Sequence, residues 1–174
     1  MTNKWNFQKP TEEENRISKE LADKLAISPV ICQLLVKRGI TTEEEANKFF
    51  KPNLNDLHDP FLMPDMDKAV KRLNKALGER EKILVYGDYD VDGTTAVSLV
   101  YKFLRPYTTL LDYYIPDRYD EGYGISYKGI DYAADTDVKL IISLDCGIKA
   151  IEKIEYAKKK GIDFIICDHH MPDD

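Results

Sequence analysis

The chain has 174 residues, of which 43% are hydrophobic and 32% charged, and its formal net charge is −6. These values are typical of a soluble protein with one domain and a small appendage, and they argue mildly against binding polyanions through overall charge alone. No apolar run reaches the roughly 20 residues that span a bilayer, and residues 1–10 lack the pattern of a signal peptide. The three cysteines are far apart in the sequence, so we expect reduced thiols in a cytoplasmic protein without a membrane partner.

The first part of the chain, from Thr11 to about residue 78, has the apolar spacing of helices. Ser28 followed by Pro29 predicts the start of one helix, and Gly39 predicts its end. Thr42 with Glu45 three residues later is a capping-box pattern, which predicts the start of the next helix. The apolar residues expected on the inner faces are Ile17, Leu21, Leu25, Ala46, Phe49 and Phe50.

The pattern changes near residue 80. Before it, we predict a loop over 53–64 and a last helix that Asp67 could cap, with Val70, Leu73 and Leu77 on its inner face. After it, we predict strands at 82–86, 110–115, 139–144 and 162–167, and helices at about 94–104, 126–134 and 148–160. Strands that alternate with helices predict an α/β fold, with a parallel sheet and helices on both of its faces.

Two domains follow from this change of pattern. Residues 1–80 should form a helical N-terminal region with a connector, and residues 81–174 the α/β domain. A sheet of this type rarely ends at a strand that carries functional groups, since a covering helix normally follows. We therefore expect residues 81–174 to be the first part of a domain that is truncated here.

Three of the predicted strands end in carboxylates or imidazoles. Asp88, Asp90 and Asp92 follow the first strand, Asp145 follows the third, and Asp168-His169-His170 follows the fourth. The carboxyl ends of parallel strands meet at one edge of the sheet, where ligands bind. Carboxylates and imidazoles together are suitable ligands for a pair of divalent metal ions. Gly87 and Gly93 would permit the backbone turns that such a site needs.

The residues alone also allow plainer interpretations. Residues 88–93 could form a solvated acidic turn, and His169 with His170 could be a pair in a surface loop. Residues 90–94 also fit the opening motif of haloacid-dehalogenase-like phosphatases, with Asp90 as a phosphorylated nucleophile, but this leaves Asp88 and both histidines without a role. The chain has no Gly-rich loop of a P-loop NTPase and no Cys-x-x-Cys for a structural zinc site. His58 is expected to be an ordinary loop residue.

Residues 115–126 follow the second predicted strand and should lie at the same edge. Arg118 could contact a phosphate, and Tyr119 or Tyr123 could stack on a base or sugar. Ser126 could cap the following helix, and the alternative is a plain glycine turn that carries this cap. We expect two cysteines to be small buried residues that flank the site and not nucleophiles, namely Cys146 and Cys167.

Three segments, in this order, resemble the motifs of the DHH phosphoesterase family. They are Tyr86-Gly87-Asp88-Tyr89-Asp90-Val91-Asp92-Gly93, Asp145-Cys146-Gly147 and Asp168-His169-His170-Met171-Pro172. Within the family, the chain is most similar to the bacterial single-stranded-DNA-specific exonucleases, because residues 117–124, the N-terminal helices and the connector at 58–61 are also similar.

The resemblance implies a hydrolase of DNA repair and recombination that degrades single-stranded DNA from the 5′ end with two Mn²⁺ (or Mg²⁺) ions. It implies that Asp88 and Asp90 bind one ion, that Asp92 and His169 bind the other, and that Asp145 bridges them. The residues implied to be catalytic are Asp90, Asp92, Asp145 and His170, with Asp168 completing or orienting the site. The residues implied to bind substrate are Arg118, Tyr123, Gly124 and His170. Helicases or single-strand-binding proteins are implied as partners.

The family pattern also includes parts that this sequence lacks. A further motif aspartate lies downstream, and a second domain helps to bind substrate, so we expect the 174-residue chain to bind metal weakly and to show little or no nuclease activity. Alternatives with the same metal chemistry are hydrolases of short oligonucleotides, cyclic dinucleotides or pyrophosphate. A DNA-bound scaffold without catalysis is a further alternative, which the complete set of acidic residues argues against.

Overall fold

The structure, a computed structural model, describes residues 8–173. The chain divides into two compact units between Pro60 and Phe61. None of the described helices combines the length and the apolar character that crossing a membrane requires.

The first unit is helical, as predicted. It contains α1 (Glu12–Leu25), α2 (Pro29–Lys37) and α3 (Glu43–Phe50). The predicted start and end of α2 are confirmed, and so is the capping box of Thr42 and Glu45 at the start of α3. The core of this unit is formed by Leu21, Ala22, Cys32 and Val36, with Ile17, Leu25 and Ile27 packed against it.

Two inner-face predictions in this unit are wrong. Phe49 and Phe50 are 55% and 46% exposed, since Ala46 is the residue through which the short helix α3 is buried. The two rings contact one another edge to face, with centroids 5.5 Å apart. The predicted loop over 53–64 contains two short 3₁₀ turns, Leu54–Asp56 and Pro60–Leu62.

The second unit is a four-stranded sheet with helices. Its elements are α4 (Met66–Gly78), β1 (Lys82–Gly87), α5 (Val91–Leu104), β2 (Leu111–Tyr114), α6 (Tyr127–Asp135), β3 (Val138–Leu144), α7 (Ile151–Lys159) and β4 (Asp163–Cys167). All strand pairs are parallel, in the order β2-β1-β3-β4. The predicted α/β fold is therefore confirmed.

Helices cover both faces of the sheet, because successive side chains of a strand point to opposite faces. Leu84, Tyr86 and Ile141 pack with residues of α6 and α7 on one face. Ile83, Val85 and Ile142 pack with residues of α4 and α5 on the other. The central strands β1 and β3 are buried on both sides, which explains their continuous apolar sequence.

Helix α4 belongs to the sheet unit, so the structural division lies about 20 residues before the predicted boundary near residue 80. Ala76 of α4 is fully buried in the core of that unit, and Leu73 and Leu77 pack against it. Val70, predicted for the inner face, is 37% exposed. Asp67 does not cap α4, because the helix begins at Met66 and Asp65 precedes it.

Candidate metal centre

Asp88 is the buried carboxylate at the end of β1. It has no exposed surface, and its Oδ1 accepts a hydrogen bond from the Gly124 amide at 3.2 Å. Its Oδ2 is also buried, without a hydrogen-bond partner among the described residues. Burial raises the pKa of Asp88, and the charges of Asp90 and Asp145 add to this effect. A buried carboxylate oxygen without a donor is costly, and a bound cation would satisfy it.

The glycines that flank this loop permit a close approach of the backbone and not an unusual turn, contrary to our expectation. Neither Gly87 nor Gly93 has a positive φ. A Cβ on Gly93 would overlap the carbonyl oxygen of Asp88 and lie 2.7 Å from its nitrogen. A Cβ on Gly87 would overlap Val97. Helix α5 therefore begins directly against the backbone of Asp88.

Asp90 and Asp92 belong to the start of α5, which begins at Val91 and not at residue 94. Asp90 is the N-cap, and its Oδ1 accepts a hydrogen bond from the Gly93 amide at 2.9 Å. Asp92 is exposed in the first turn of the helix. The three aspartates therefore do not alternate along an extended segment, because helical geometry begins between them.

Asp145, His169 and His170 form a group of possible metal ligands at the ends of β3 and β4. One ligand atom from each residue lies within 4.8 Å of the other two. Oδ1 of Asp145 is 3.0 Å from Nε2 of His169, and the ring centroids of His169 and His170 are 4.6 Å apart. The Asp145 amide donates to the Cys167 carbonyl at 2.8 Å, which joins the two strand ends. One carboxylate and two imidazoles suit a divalent transition metal.

Asp168 orients His170. Its carboxylate is 2% exposed, and its Oδ2 accepts a hydrogen bond from the Ile148 amide at 3.0 Å. Its Oδ1 accepts from the His170 amide at 3.1 Å and lies 2.6 Å from Nδ1 of that imidazole. Burial alone would raise the pKa of Asp168, but these hydrogen bonds lower it below its usual range. The ionised carboxylate therefore fixes the proton on Nδ1, which leaves Nε2 for a metal or a substrate.

Of the predicted substrate residues, Tyr123 contacts this group directly. The Tyr123 ring contacts the His170 ring edge to face at 6.2 Å, and its hydroxyl donates to the Asp145 carbonyl at 3.3 Å. Gly124, with a φ of 80°, holds Asp88 through its amide. The Arg118 guanidinium lies 5.3 Å from the centre of the Tyr89 ring, which in turn contacts Tyr123 edge to face.

Tyr89 is a site residue that the sequence analysis missed. Its ring lies between Arg118 and Tyr123, so it connects the loop after β1 to the loop after β2. The feature of the sequence that could have identified Tyr89 is its position between Asp88 and Asp90. An aromatic residue between two candidate ligands, in a short loop, must lie close to the metal site.

The two cysteines differ in their surroundings. Cys146 is buried beside the site, as predicted, and burial with nearby carboxylates raises the pKa of its thiol to about 12. The prediction that Cys167 is buried is wrong, because it ends β4, an edge strand of the described sheet, and is exposed.

A partly buried network around Glu121 holds the loop that carries Tyr123 and Gly124. The carboxylate of Glu121 accepts hydrogen bonds from the Ser126 hydroxyl at 2.5 Å, the Tyr114 hydroxyl at 2.9 Å and the Asp117 amide at 2.9 Å. Ser126 is the N-cap of α6, as predicted, and accepts from the Gly129 amide at 2.8 Å. The Tyr86 hydroxyl donates to the Gly124 carbonyl at 3.0 Å.

Replacement of Glu121 with glutamine is expected to lower the free energy of unfolding at pH 7 by about 1–3 kcal/mol, because an amide cannot accept all of these hydrogen bonds. Burial alone would raise the pKa of Glu121, but the hydrogen bonds lower it. The stabilisation is therefore complete above the unfolded pKa of about 4.3, and it is lost as pH falls through the lower folded value.

Urea unfolding between pH 7 and pH 3 measures the difference in unfolding free energy between the parent chain and the Glu121→Gln variant. Asp120→Asn, an exposed change in the same loop, is the control. A difference that does not shrink below pH 4 would contradict the assignment.

Comparison with known proteins agrees with this geometry. Residues 82–174 match the family model described as "DHH family, N-terminal domain". The single-stranded-DNA-specific exonuclease RecJ of Bacillus subtilis is 40% identical over 169 residues, which are 97% of this chain and 21% of that protein. The chain thus spans about a fifth of the length of this relative.

Two solved structures are similar to the described structure. A crystal structure of exonuclease RecJ bound to manganese is 30% identical, with a TM-score of 0.57 over 62% of this chain and 28% of that one. RecJ of Thermus thermophilus in complex with Mn²⁺ is 22% identical, with a TM-score of 0.67 over 91% of this chain and 22% of that one, and this likeness supports the fold. Because the family model matches residues 82–174, more than half of the sequence, the chain belongs to the DHH family.

Proposed function

We propose that this chain carries part of the metal centre of an exonuclease that hydrolyses single-stranded DNA from its 5′ end in DNA repair and recombination. The observation that carries the proposal is the group formed by Asp145, His169 and His170, beside a buried Asp88 whose Oδ2 has no hydrogen-bond partner in the described part of the chain. The names of the relatives point to single-stranded DNA as the substrate. The proposal includes a cytoplasmic location, and helicases or single-strand-binding proteins as partners that supply the strand.

The residues present fit two Mn²⁺ (or Mg²⁺) ions. Asp88 and Asp90 would hold one ion and Asp92 and His169 the other, with Asp145 as the bridge. Asp90 and Asp92 have the weakest structural support, because both are exposed at the start of α5 and lie outside the group of Asp145 and the two imidazoles. Bound divalent ions would supply an activated water and stabilise charge on the attacking and leaving oxygens.

The side chains of this chain would position the substrate. The Asp168 carboxylate raises the pKa of the His170 imidazole, and in its protonated form His170 would donate from Nε2 to the scissile phosphate. Arg118 would contact a phosphate of the strand. The Tyr123 ring is 52% exposed and is available to stack on a base. A cleft of about 300 Å³ adjoins Tyr123, Asp168 and His170, and Lys149 and Lys153 also line it. This volume suits a group of the size of a nucleotide.

Two other functions are alternatives to this proposal. A hydrolase of short oligonucleotides, cyclic dinucleotides or pyrophosphate would need the same ligands, and the assay below separates turnover of cyclic dinucleotides or pyrophosphate from the proposed function. A non-catalytic DNA-bound scaffold would not need a buried aspartate with a free oxygen, which costs stability without a cation. Membership of the DHH family excludes the haloacid-dehalogenase-like alternative.

The test is a Mn²⁺-dependent assay of the full-length protein, by which we mean a protein of the relatives' length that carries this chain. The substrates are 5′-phosphorylated single-stranded DNA, the matching duplex, a cyclic dinucleotide and pyrophosphate. We expect mononucleotide release from the single strand, with little cleavage of the other three. Preferential turnover of the cyclic dinucleotide or of pyrophosphate would overturn the proposal.

The 174-residue chain by itself is expected to bind Mn²⁺ weakly and to have less than about 1% of the full-length activity. It spans about a fifth of the relatives' length, and the loss of one electrostatic group from an active site lowers kcat about 10²–10³-fold. Calorimetric titration with Mn²⁺ and the same nuclease assay measure both quantities. Robust degradation of the single strand by the isolated chain would contradict this prediction.

A further inference from the structure

The edge of the sheet opposite the metal centre contains a second cavity. Its volume is about 290 Å³, and Arg80, Arg105, Tyr107 and Thr109 are among the residues that line it. Arg80 precedes β1, and the loop from Arg105 to Leu110 precedes β2, so the cavity lies at the amino ends of these strands. The metal ligands follow the carboxyl ends. A six-residue strand separates the two edges by roughly 20 Å.

Two exposed arginines, Arg80 and Arg105, line this cavity from different parts of the chain. Within residues 8–173, neither Arg80 nor Arg105 forms an ion pair or a side-chain hydrogen bond. The nearest carboxylates in the sequence have other partners, since Glu79 pairs with Lys75 and Glu81 pairs with Arg72. Two unpaired positive charges in one cavity favour an anion, even though the net charge of the chain is −6.

The backbone at Arg80 makes a direct test of this residue possible. Arg80 has a φ of 57°, the left-handed conformation that favours glycine. Its amide donates to the Leu77 carbonyl, and the Glu81 amide donates to the Ala76 carbonyl, which is the Schellman pattern at the end of α4. The same pattern ends α2 and α7, where the corresponding residues are Gly39 and Gly161. Arg80 is therefore one of several non-glycine residues that adopt this conformation after a helix, as Ala26 does after α1 and Asp137 after α6, and it carries a cost in stability.

The remaining side chains indicate the class of anion. Tyr107 is 64% exposed and contacts the Phe103 ring, with centroids 5.7 Å apart. Arginines that contact phosphates, beside an exposed aromatic ring on which a base can stack, are typical of single-stranded nucleic acid sites. We propose that Arg80 and Arg105 bind phosphates of a single-stranded polynucleotide, at a site separate from the metal centre and independent of metal.

The test measures the affinity of the 174-residue chain for fluorescein-labelled oligothymidylate and oligoadenylate in EDTA, over a range of salt concentrations. Because EDTA removes metal, the result does not depend on the proposed nuclease function. We expect Arg80→Gly and Arg105→Gln each to weaken binding about 5- to 10-fold for both sequences. Each change should also reduce the slope of log K against log salt by about 0.7, the value for one phosphate contact on a single strand.

Arg80→Gly separates binding from folding. Glycine relieves the left-handed strain, so this variant should unfold about 2–4 °C above the parent chain while it binds DNA less well. Arg38→Gln is the control for Arg105→Gln, because Arg38 occupies the same C-cap position on α2. We expect no change in the salt slope for this control.

Three results would overturn the proposal. The first is an Arg80→Gly variant with unchanged DNA affinity and salt slope. The arginines would then only stabilise the carboxyl ends of α4 and α5 through their charge. The second is an equal loss of affinity in Arg38→Gln, which would indicate a general effect of charge. The third is displacement of the labelled DNA by inorganic phosphate as effectively as by unlabelled oligonucleotide, which would indicate a site for free phosphate.

Discussion

Replacement of Asp145 with asparagine is expected to lower Mn²⁺-dependent cleavage of single-stranded DNA by the full-length protein about 10³-fold. Asp145 is the carboxylate of the ligand group, 3.0 Å from the His169 imidazole, and its side chain is 9% exposed. Asparagine removes the negative charge and keeps a similar shape. Asparagine also adopts the φ of 58° at this position more readily than alanine does. The change therefore tests the charge and not the fold.

The measurements are kcat/KM on a 5′-phosphorylated single strand and the Mn²⁺ affinity by calorimetry. Asp137→Asn is a matched control, because Asp137 has a φ of 59° and lies outside the ligand group. We expect the control to retain full activity. If the Asp145 variant keeps activity within tenfold of the parent, Asp145 is not a metal ligand.

Replacement of Gly93 with alanine is expected to lower the free energy of unfolding by at least about 2 kcal/mol, because the added methyl group overlaps backbone atoms that no side-chain rotation can move. Those atoms belong to Asp88, whose carboxylate is part of the proposed metal centre. The same change should therefore weaken Mn²⁺ binding as well as the fold. Urea unfolding of the 174-residue chain and calorimetry measure the two effects.

Gly78→Ala is the control for this change. Gly78 ends α4, and nothing lies within 4 Å of the position where its Cβ would be. Alanine there should stabilise the chain by about 0.5–1 kcal/mol, because it reduces the freedom of the unfolded chain. A Gly93 variant as stable as the Gly78 variant would mean that α5 does not begin against Asp88.

The elements of the second unit could be predicted from the sequence because their signals are local. Apolar runs such as 139–144 and helical spacing depend on residues a few positions apart. The alternation of strands and helices then determined a parallel sheet, and this topology placed the ends of β1, β3 and β4 at one edge. The sequence also determined the cap at Ser126 and the capping box at Thr42, since each involves residues three positions apart.

The chemistry within the site depended on contacts between distant residues. Asp88 is buried because α5 begins against it and because Gly124, 36 residues later, holds its carboxylate. Asp168 orients His170 because both of its oxygens are engaged, one of them by Ile148, 20 residues earlier. Tyr89 contacts the site through the ring of Tyr123, which belongs to the loop after β2.

The sequence by itself thus determined the fold class and the set of acidic and imidazole residues at one edge of the sheet. Only the tertiary structure decided which of these residues are buried and which orient their neighbours. It also placed two arginines, which have no ion pair within residues 8–173, in one cavity at the opposite edge. The physical reason is that helix and strand patterns arise from hydrogen bonds and burial along the chain, whereas the burial and ionisation of a side chain depend on everything that packs around it.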